Sequence, residues 1–434
     1  MADILDRSAR YLDENLYEGA GLVNRPTTEL SDIADGIALV EAFSHVISFR
    51  TQQGLVLFDT SLEAFAGGVL KSLRRWSTDP VSRIVYTHGH VDHVGGAGTF
   101  IDETLAKGAA RPHVVGHENV APRFDRYELT NGYNWLINAR QFAPAEELRM
   151  GGDAAAPKKR FGPEPFIYPD LKVDHHHMMQ IGGLTFDLRH GIGETDDHLW
   201  AYIPEHRAIC CGDFVTWVFP NAGNPQKVQR FPLEWARALR EMAALKPELL
   251  LPAHGLPVAG QARIEKMLLT IAEALEYLVR ETLHAMNAGA SLDDILHHVK
   301  LPAGYLDKPY LRPVYDEPEF ILHNIWRLYG GWYDGNPARL KPAKDSALAI
   351  EIARIAGGAD VLASRALQLV EQGDLRLACH LAEFAVQAAP DHASIHQARA
   401  QVYQARRKAE SSLMAKGIYG AAERDSAKKA QSIE

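Results

Sequence analysis

The chain has 434 residues, 46% hydrophobic and 23% charged, which predicts a globular protein with a sizeable core and more than one domain. A net charge of −9 argues against nucleic acid or an anionic membrane surface as the main partner. Three cysteines, two of them adjacent (Cys210 and Cys211, with Cys379 apart), exclude a disulfide-stapled scaffold. No stretch approaches the ~20 apolar residues of a membrane helix, and the N-terminal segment lacks the apolar core of a secretory signal. A soluble, cytoplasmic protein is expected.

Taken in chain order, residues 37–50 predict strands, and residues 54–61 predict a buried strand ending in a turn. Apolar spacing predicts a helix over 61–76. Short strands follow at 82–87 and 113–120. Residues 129–169, rich in Gly, Pro, Ala and charge, predict an irregular insertion or lid, least ordered over 151–165. Three further strands are expected between 184 and 213, and another at 248–255.

From residue 261 the pattern turns helical, so the expected domains are 1–260 and 261–434. A long helix is followed by a shorter one opened by a Ser cap and an acidic first turn. Pro/Tyr/Gly-rich loops are expected over 301–342, then paired helices. Residues 366–403 resemble one tetratricopeptide-type unit, and the last segment, 423–434, is expected to fray.

The chemistry concentrates in THGHVDHVGG, residues 87–96, where His88, His90, Asp92 and His93 follow a predicted strand directly. Burying these groups unpaired would be costly, so they point to something that binds them. Two histidines one residue apart can aim at one ion, and the following Asp-His pair at a second. The glycines after His93 allow a tight turn into a helix. His190 and Glu194, His198, Asp213 and His254 recur at other strand ends.

The stretch resembles the HxHxDH signature of the metallo-β-lactamase superfamily, with further matching motifs over about the first 260 residues. GLVLFDTS, with Asp59, resembles the strand and turn before that signature. HGIGETDDHLW aligns Glu194 with a position that is commonly histidine, while His190, four residues earlier, is the alternative in a slipped register. CGDF resembles the bridging-carboxylate motif (Asp213), and PAHG the final histidine motif (His254). The resemblance implies one ion on His88, His90 and Glu194, a second on Asp92, His93 and His254, and Asp213 between them. Asp92 and Asp213 would be the catalytic carboxylates, and two such ions are expected to activate water as the nucleophile. Two zinc ions suit the set, which carries no thiolate; manganese or iron also fits.

Residues 301–342 resemble the alkyl sulfatase family, whose dimerisation domain carries an LP…PYL.P.Y…Y.GW.DGNP..L.P pattern. That family also uses glutamate at the Glu194 position. The implied fold is α/β, a metallo-β-lactamase αβ/βα sandwich followed by an all-α dimerisation domain, in a homodimer. The implied reaction is hydrolysis of an alkyl sulfate, a small-molecule substrate, to alcohol and inorganic sulfate. Three departures stand out. Asp213 replaces a usual glutamate. The Arg-rich sulfate-anchoring stretch is only loosely echoed by residues 224–239. The chain ends at Glu434 without the sterol-carrier-like domain of members that act on long alkyl sulfates.

Arg140, Lys227 and Arg230 are candidate anion contacts, against an ordinary role as surface charge. Tyr133, Trp135, Trp217 and Phe219 are candidate pocket walls, with core packing an equal reading. His113, His117 and the triplet His175–His177 read as structural or surface groups, and His198 as pocket lining. The alternatives are hydrolysis of a carboxylic ester, lactone or thioester on the same ions, or a non-catalytic metal-binding scaffold.

Overall fold

The short apolar runs of the first half become strands in the computed structural model, which describes residues 3–17, 19, 23–142 and 160–433. After α1 (Asp3–Asp13), one sheet takes seven strands in chain order: β1 (Leu30–Ala34), β2 (Ile37–Val40), β3 (Val46–Thr51), β4 (Gly54–Phe58), β5 (Val81–Val85), β6 (His113–His117) and β7 (Leu171–Val173). Strands β1 to β4 pair antiparallel, and β4 to β7 pair parallel. The period-two alternation divides β4 between two cores. Leu55 and Leu57 pack with Val69 and Leu73 of α2 (Glu63–Trp76), beyond which lie α3 (Val91–Val94), α4 (Ala97–Ala106) and α5 (Val120–Leu129). Val56 and Phe58 join the core shared with the second sheet.

That second sheet has the order β13-β12-β11-β10-β9-β8, built from β8 (His176–Ile181), β9 (Leu184–Gly191), β10 (His198–Ile203), β11 (Ala208–Gly212), β12 (Leu249–Pro252) and β13 (Val258–Ala259). Helix α7 (Pro232–Ala244) adds Trp235, Leu239 and Met242 to its core, and α8 (Gln261–Asn287) adds Ile264, Leu268, Ile271 and Leu275. The result is the expected αβ/βα sandwich. The parallel strands bring their carboxyl ends to one edge, where ligands gather in α/β folds.

The compact units do not part at 260/261. The first comprises the described residues up to 134, 160–290 and 294–329; the second comprises 135–142, 291–293 and 330–433. The reason is packing: the buried stripe of α8, together with Ile321, Leu322 and Ile325 of α10 (Pro318–Gly330), belongs to the same core as the second sheet. Between these helices lies α9 (Leu292–His298).

Three expectations are corrected. Residues 131–142 are helical, α6 (Asn131–Phe142), rather than irregular; of the expected lid, 143–159 lies outside the described residues. The loops predicted over 301–342 contain α10. Beyond α11 (Asp345–Ala356), α12 (Ala359–Glu371), α13 (Leu375–Ala388) and α14 (Ala393–Ala409), the final segment continues as α15 (Leu413–Ile433). It does not fray because Ser426 and Ala430 are buried, and Ser426 Oγ accepts from Arg399 Nη1 at 2.7 Å. Among the described residues, no helix is long and apolar enough to cross a membrane.

Candidate metal centre

Five chain turns deliver the polar groups to the sheet edge. After β4, Asp59 and Ser61 take positive φ values of 60° and 62°, a costly conformation for residues other than glycine. After β5, residues 87–90 lead into α3, where Asp92 and His93 sit in one short turn. Thr60 N and Oγ1 donate to His93 O at 2.7 and 2.9 Å, tying the two turns together. Gly96 permits this approach, since a Cβ there would collide with Thr60 O. Glu194 lies between β9 and β10, Asp213 follows β11, and His254 follows β12.

Six of the seven expected residues flank the seventh, Asp213, as two candidate donor sets; the donor atoms that lie within 4.8 Å of one another are those of His88, His93 and Asp213, of Asp92, His93 and His254, and of His90, Glu194 and Asp213. On one side, His90 Nδ1 lies 3.7 Å from Glu194 Oε1 and 2.8 Å from His88 Nε2, while His88 Nε2 lies 3.8 Å from Asp213 Oδ2. On the other, His93 Nε2 lies 3.5 Å from Asp92 Oδ2 and from Asp213 Oδ1; His254 Nε2 lies 3.4 and 3.5 Å from the same two oxygens. Donors about 2.0–2.2 Å from one tetrahedral ion stand roughly 3.3–3.6 Å apart. The four separations of the second set fit, whereas those of the first, 2.8, 3.7 and 3.8 Å, fall outside that range. His93 Nε2 and Asp213 Oδ1 are also buried without a hydrogen-bond partner, an arrangement that costs free energy unless a cation completes it.

Electrostatics divide the donors: burial opposes charge on His254, but Asp213 and Asp92 raise its pKa above the ordinary imidazole value. Burial holds the His88 pKa well below the usual imidazole range, with His93 and His90 adding to the effect; burial does the same for His90, with Arg123 and Arg230 adding. Both are neutral, the ligating form. Burial opposes charge on His93, but Asp213, Asp92 and Asp59 outweigh it and hold its pKa well above that range. Burial also opposes ionisation of Asp92 and Asp213, yet His93 and His254 pull both below the ordinary carboxylate value. Glu194 goes the other way: burial raises it, against the pull of Arg230.

The remaining expected residues divide. Arg230 is buried and ion-paired with Glu194. Lys227 places Nζ 5.8 Å from the centre of the Phe161 ring, and burial, then Arg230, lower its pKa to about 7. Tyr133 is 62% exposed, and Arg140 is exposed on α6 in the second compact unit. Trp217 and Phe219 are core residues, with Trp217 Nε1 donating to Leu256 O at 2.7 Å. His190 stands outside both donor sets: its Nε2 bonds Asp196 O at 3.0 Å and its ring stacks on His117. His198 stacks on His88 and accepts from Asp213 N at 3.1 Å, bracing two donors.

Sequence reasoning missed the braces. Asp59 holds His93, as described below. Asn221 Nδ2 donates to Glu194 Oε1 at 2.6 Å. Asp197 Oδ2 accepts from Gly89 N at 3.0 Å and Arg123 Nε at 2.7 Å, securing the backbone between His88 and His90. Ser44 Oγ donates to Asp92 O. Only Asp59 carried a signal, the acidic residue closing an otherwise apolar strand.

With this geometry established, the matches to known proteins are consistent throughout. Residues 40–254 match the metallo-beta-lactamase superfamily. More particularly, residues 291–429 match alkyl sulfatase dimerisation, so both regions occur in one chain. A linear primary-alkylsulfatase of Pseudomonas sp. is 27% identical over 344 residues, 77% of this chain and 65% of that protein. An (R)-specific secondary-alkylsulfatase of Pseudomonas sp. is 26% identical over 353 residues, 78% of this chain and 53% of that one. The chain thus spans less than two thirds of the length of these curated relatives. The structure of a stereoselective inverting sec-alkylsulfatase from Pseudomonas sp. matches with a TM-score of 0.81 at 21% identity, covering 98% of this chain and 70% of that one; this is a likeness of fold.

Proposed function

We propose that the chain is a two-metal hydrolase that cleaves the sulfate ester of an aliphatic alcohol to the alcohol and inorganic sulfate. The observation that carries the reading is the division of one carboxylate: Asp213 turns Oδ2 towards His88 and Oδ1 towards His93 and His254. One cation would be held by His88, His90 and Glu194, and a second by Asp92, His93 and His254, with Asp213 common to both. Imidazole and carboxylate donors suit zinc, and manganese or iron as well. When bound, such cations neutralise developing charge on ester oxygens and lower the pKa of water.

The chain's own groups supply position and charge. Arg230 and Asn221 fix Glu194, and Asp59 fixes the ring of His93. Lys227, whose pKa lies near 7, would meet the sulfate in its protonated form. The substrate class rests on the alkylsulfatase relatives and the alkyl sulfatase dimerisation match. The same match supports a homodimer, for which α11 offers exposed Leu348, Ile350 and Ile355. The catalytic part, in this reading, runs through α10.

The test is a comparison of matched substrates with the zinc-loaded protein: a medium-chain alkyl sulfate, and an acyl ester and a lactone of similar size. Sulfate release that disappears in Glu194→Ala is expected. Turnover of the ester or lactone without sulfate release would reassign the substrate class.

A further inference from the structure

The segment that braces Glu194 is itself clasped by residues 312–324, which lie within the match to alkyl sulfatase dimerisation. Arg230 pairs with Glu194 and donates Nη1 to Asn221 O at 2.6 Å, so its guanidinium organises both contacts to that carboxylate. The Arg230 backbone is gripped by one side chain. Asn324 Nδ2 donates to Arg230 O at 2.8 Å, and Asn324 Oδ1 accepts from Gln229 Nε2 at 3.0 Å and from Arg230 N at 3.4 Å. Asn324 is buried. The same strip holds the rest of the segment: Asp316 Oδ2 accepts from Gly223 N at 2.6 Å, and Phe219 N donates to Arg312 O at 3.0 Å.

We infer that Asn324 is a positioning residue for Glu194, fixing the Arg230 backbone so that its guanidinium holds that carboxylate against His90 and Asp213. The inference rests on the two-metal reading above. It assigns to a residue of α10, in the dimerisation match, a role in one donor set and none in the other. An amide suits the task because it offers a donor and an acceptor to one backbone position at once.

The test is calorimetric titration of zinc into the metal-stripped full chain, alongside thermal melting. For Asn324→Ala, one of two binding events is expected to weaken roughly 10–100-fold, the scale of lost ligand-orienting contacts, while the other is unchanged. Unchanged affinity at both sites overturns the inference. So does equal weakening at both in step with a lower melting temperature, the mark of general damage. Should Asn324→Ala fail to fold, Asn324→Asp decides, since it keeps the acceptor and replaces the donor to Arg230 O by a carboxylate oxygen; the same selective weakening is expected. Wild-type protein that binds no zinc would overturn the two-metal reading itself, a failure visible before any variant is made.

Discussion

Asp59 Oδ2 lies 2.7 Å from His93 Nδ1, with both side chains excluded from solvent. The carboxylate is fully engaged, since Oδ1 accepts from Thr87 N at 2.7 Å and Oδ2 from Thr87 Oγ1 at 2.8 Å. A proton kept on Nδ1 leaves Nε2 facing Asp92 and Asp213. Asp59→Asn is therefore expected to lower zinc affinity about 10–100-fold. Competition with a chromogenic chelator measures this, and unchanged affinity would show that His93 needs no such orientation.

Arg123 and Asp197 form a buried ion pair whose carboxylate also holds Gly89 N. Arg123→Met leaves that carboxylate without its main counter-charge. A loss of about 3–5 kcal/mol is expected, the usual result of removing one partner from a buried pair. Urea unfolding at neutral pH measures it; a loss below about 1 kcal/mol would place the pair with exposed salt bridges.

These braces explain what the sequence made legible. His88, His90, Asp92 and His93 stand out because four metal-binding side chains fall within six residues, and Asp213 and His254 because each ends an apolar strand. Asp197 and Arg123 are 74 residues apart, and Asn324 and Arg230 are 94 apart, so nothing local marks either pair. The sandwich was readable from strands buried along their whole length. Helix α6 was hidden because NGYNWLINARQF lacks strong helix formers at its start, and α15 because its sequence is polar. Gly417 of α15 lies so close to Gln141 O that a Cβ would collide with it, a contact that only tertiary structure reveals.

Asp316 gives a pH signature. Burial, partly offset by the N–H groups of Gly223 and Glu317, pushes its pKa up to about 7. The unfolded value is roughly 3.9, so the folded chain keeps a proton that the unfolded chain releases between about pH 4 and 7. This contribution to stability is complete below that window and is lost as pH rises through it. Asp316→Asn should therefore gain on the wild type with rising pH, by up to ~1.4 kcal/mol per pH unit. Urea unfolding at stepped pH reads the difference, and a constant or shrinking gap would contradict the assignment.

Helix α11 exposes Ile355 at 81%, with Leu348 and Ile350 also exposed. Burying such residues against a second chain is worth about 1.5–3 kcal/mol each. Leu348→Lys with Ile355→Lys is expected to shift a dimer towards monomer in sedimentation velocity while leaving the melting temperature within a few degrees. A dimer that persists unchanged would place the contact elsewhere.

Sulfate release from a medium-chain alkyl sulfate, followed as zinc is added stepwise to metal-stripped protein, decides whether the chain is a two-metal sulfate-ester hydrolase. No release is expected without metal, and the rate should climb until about two equivalents are bound per chain. Release by the metal-free protein, or none at any zinc level despite full binding, would contradict that assignment.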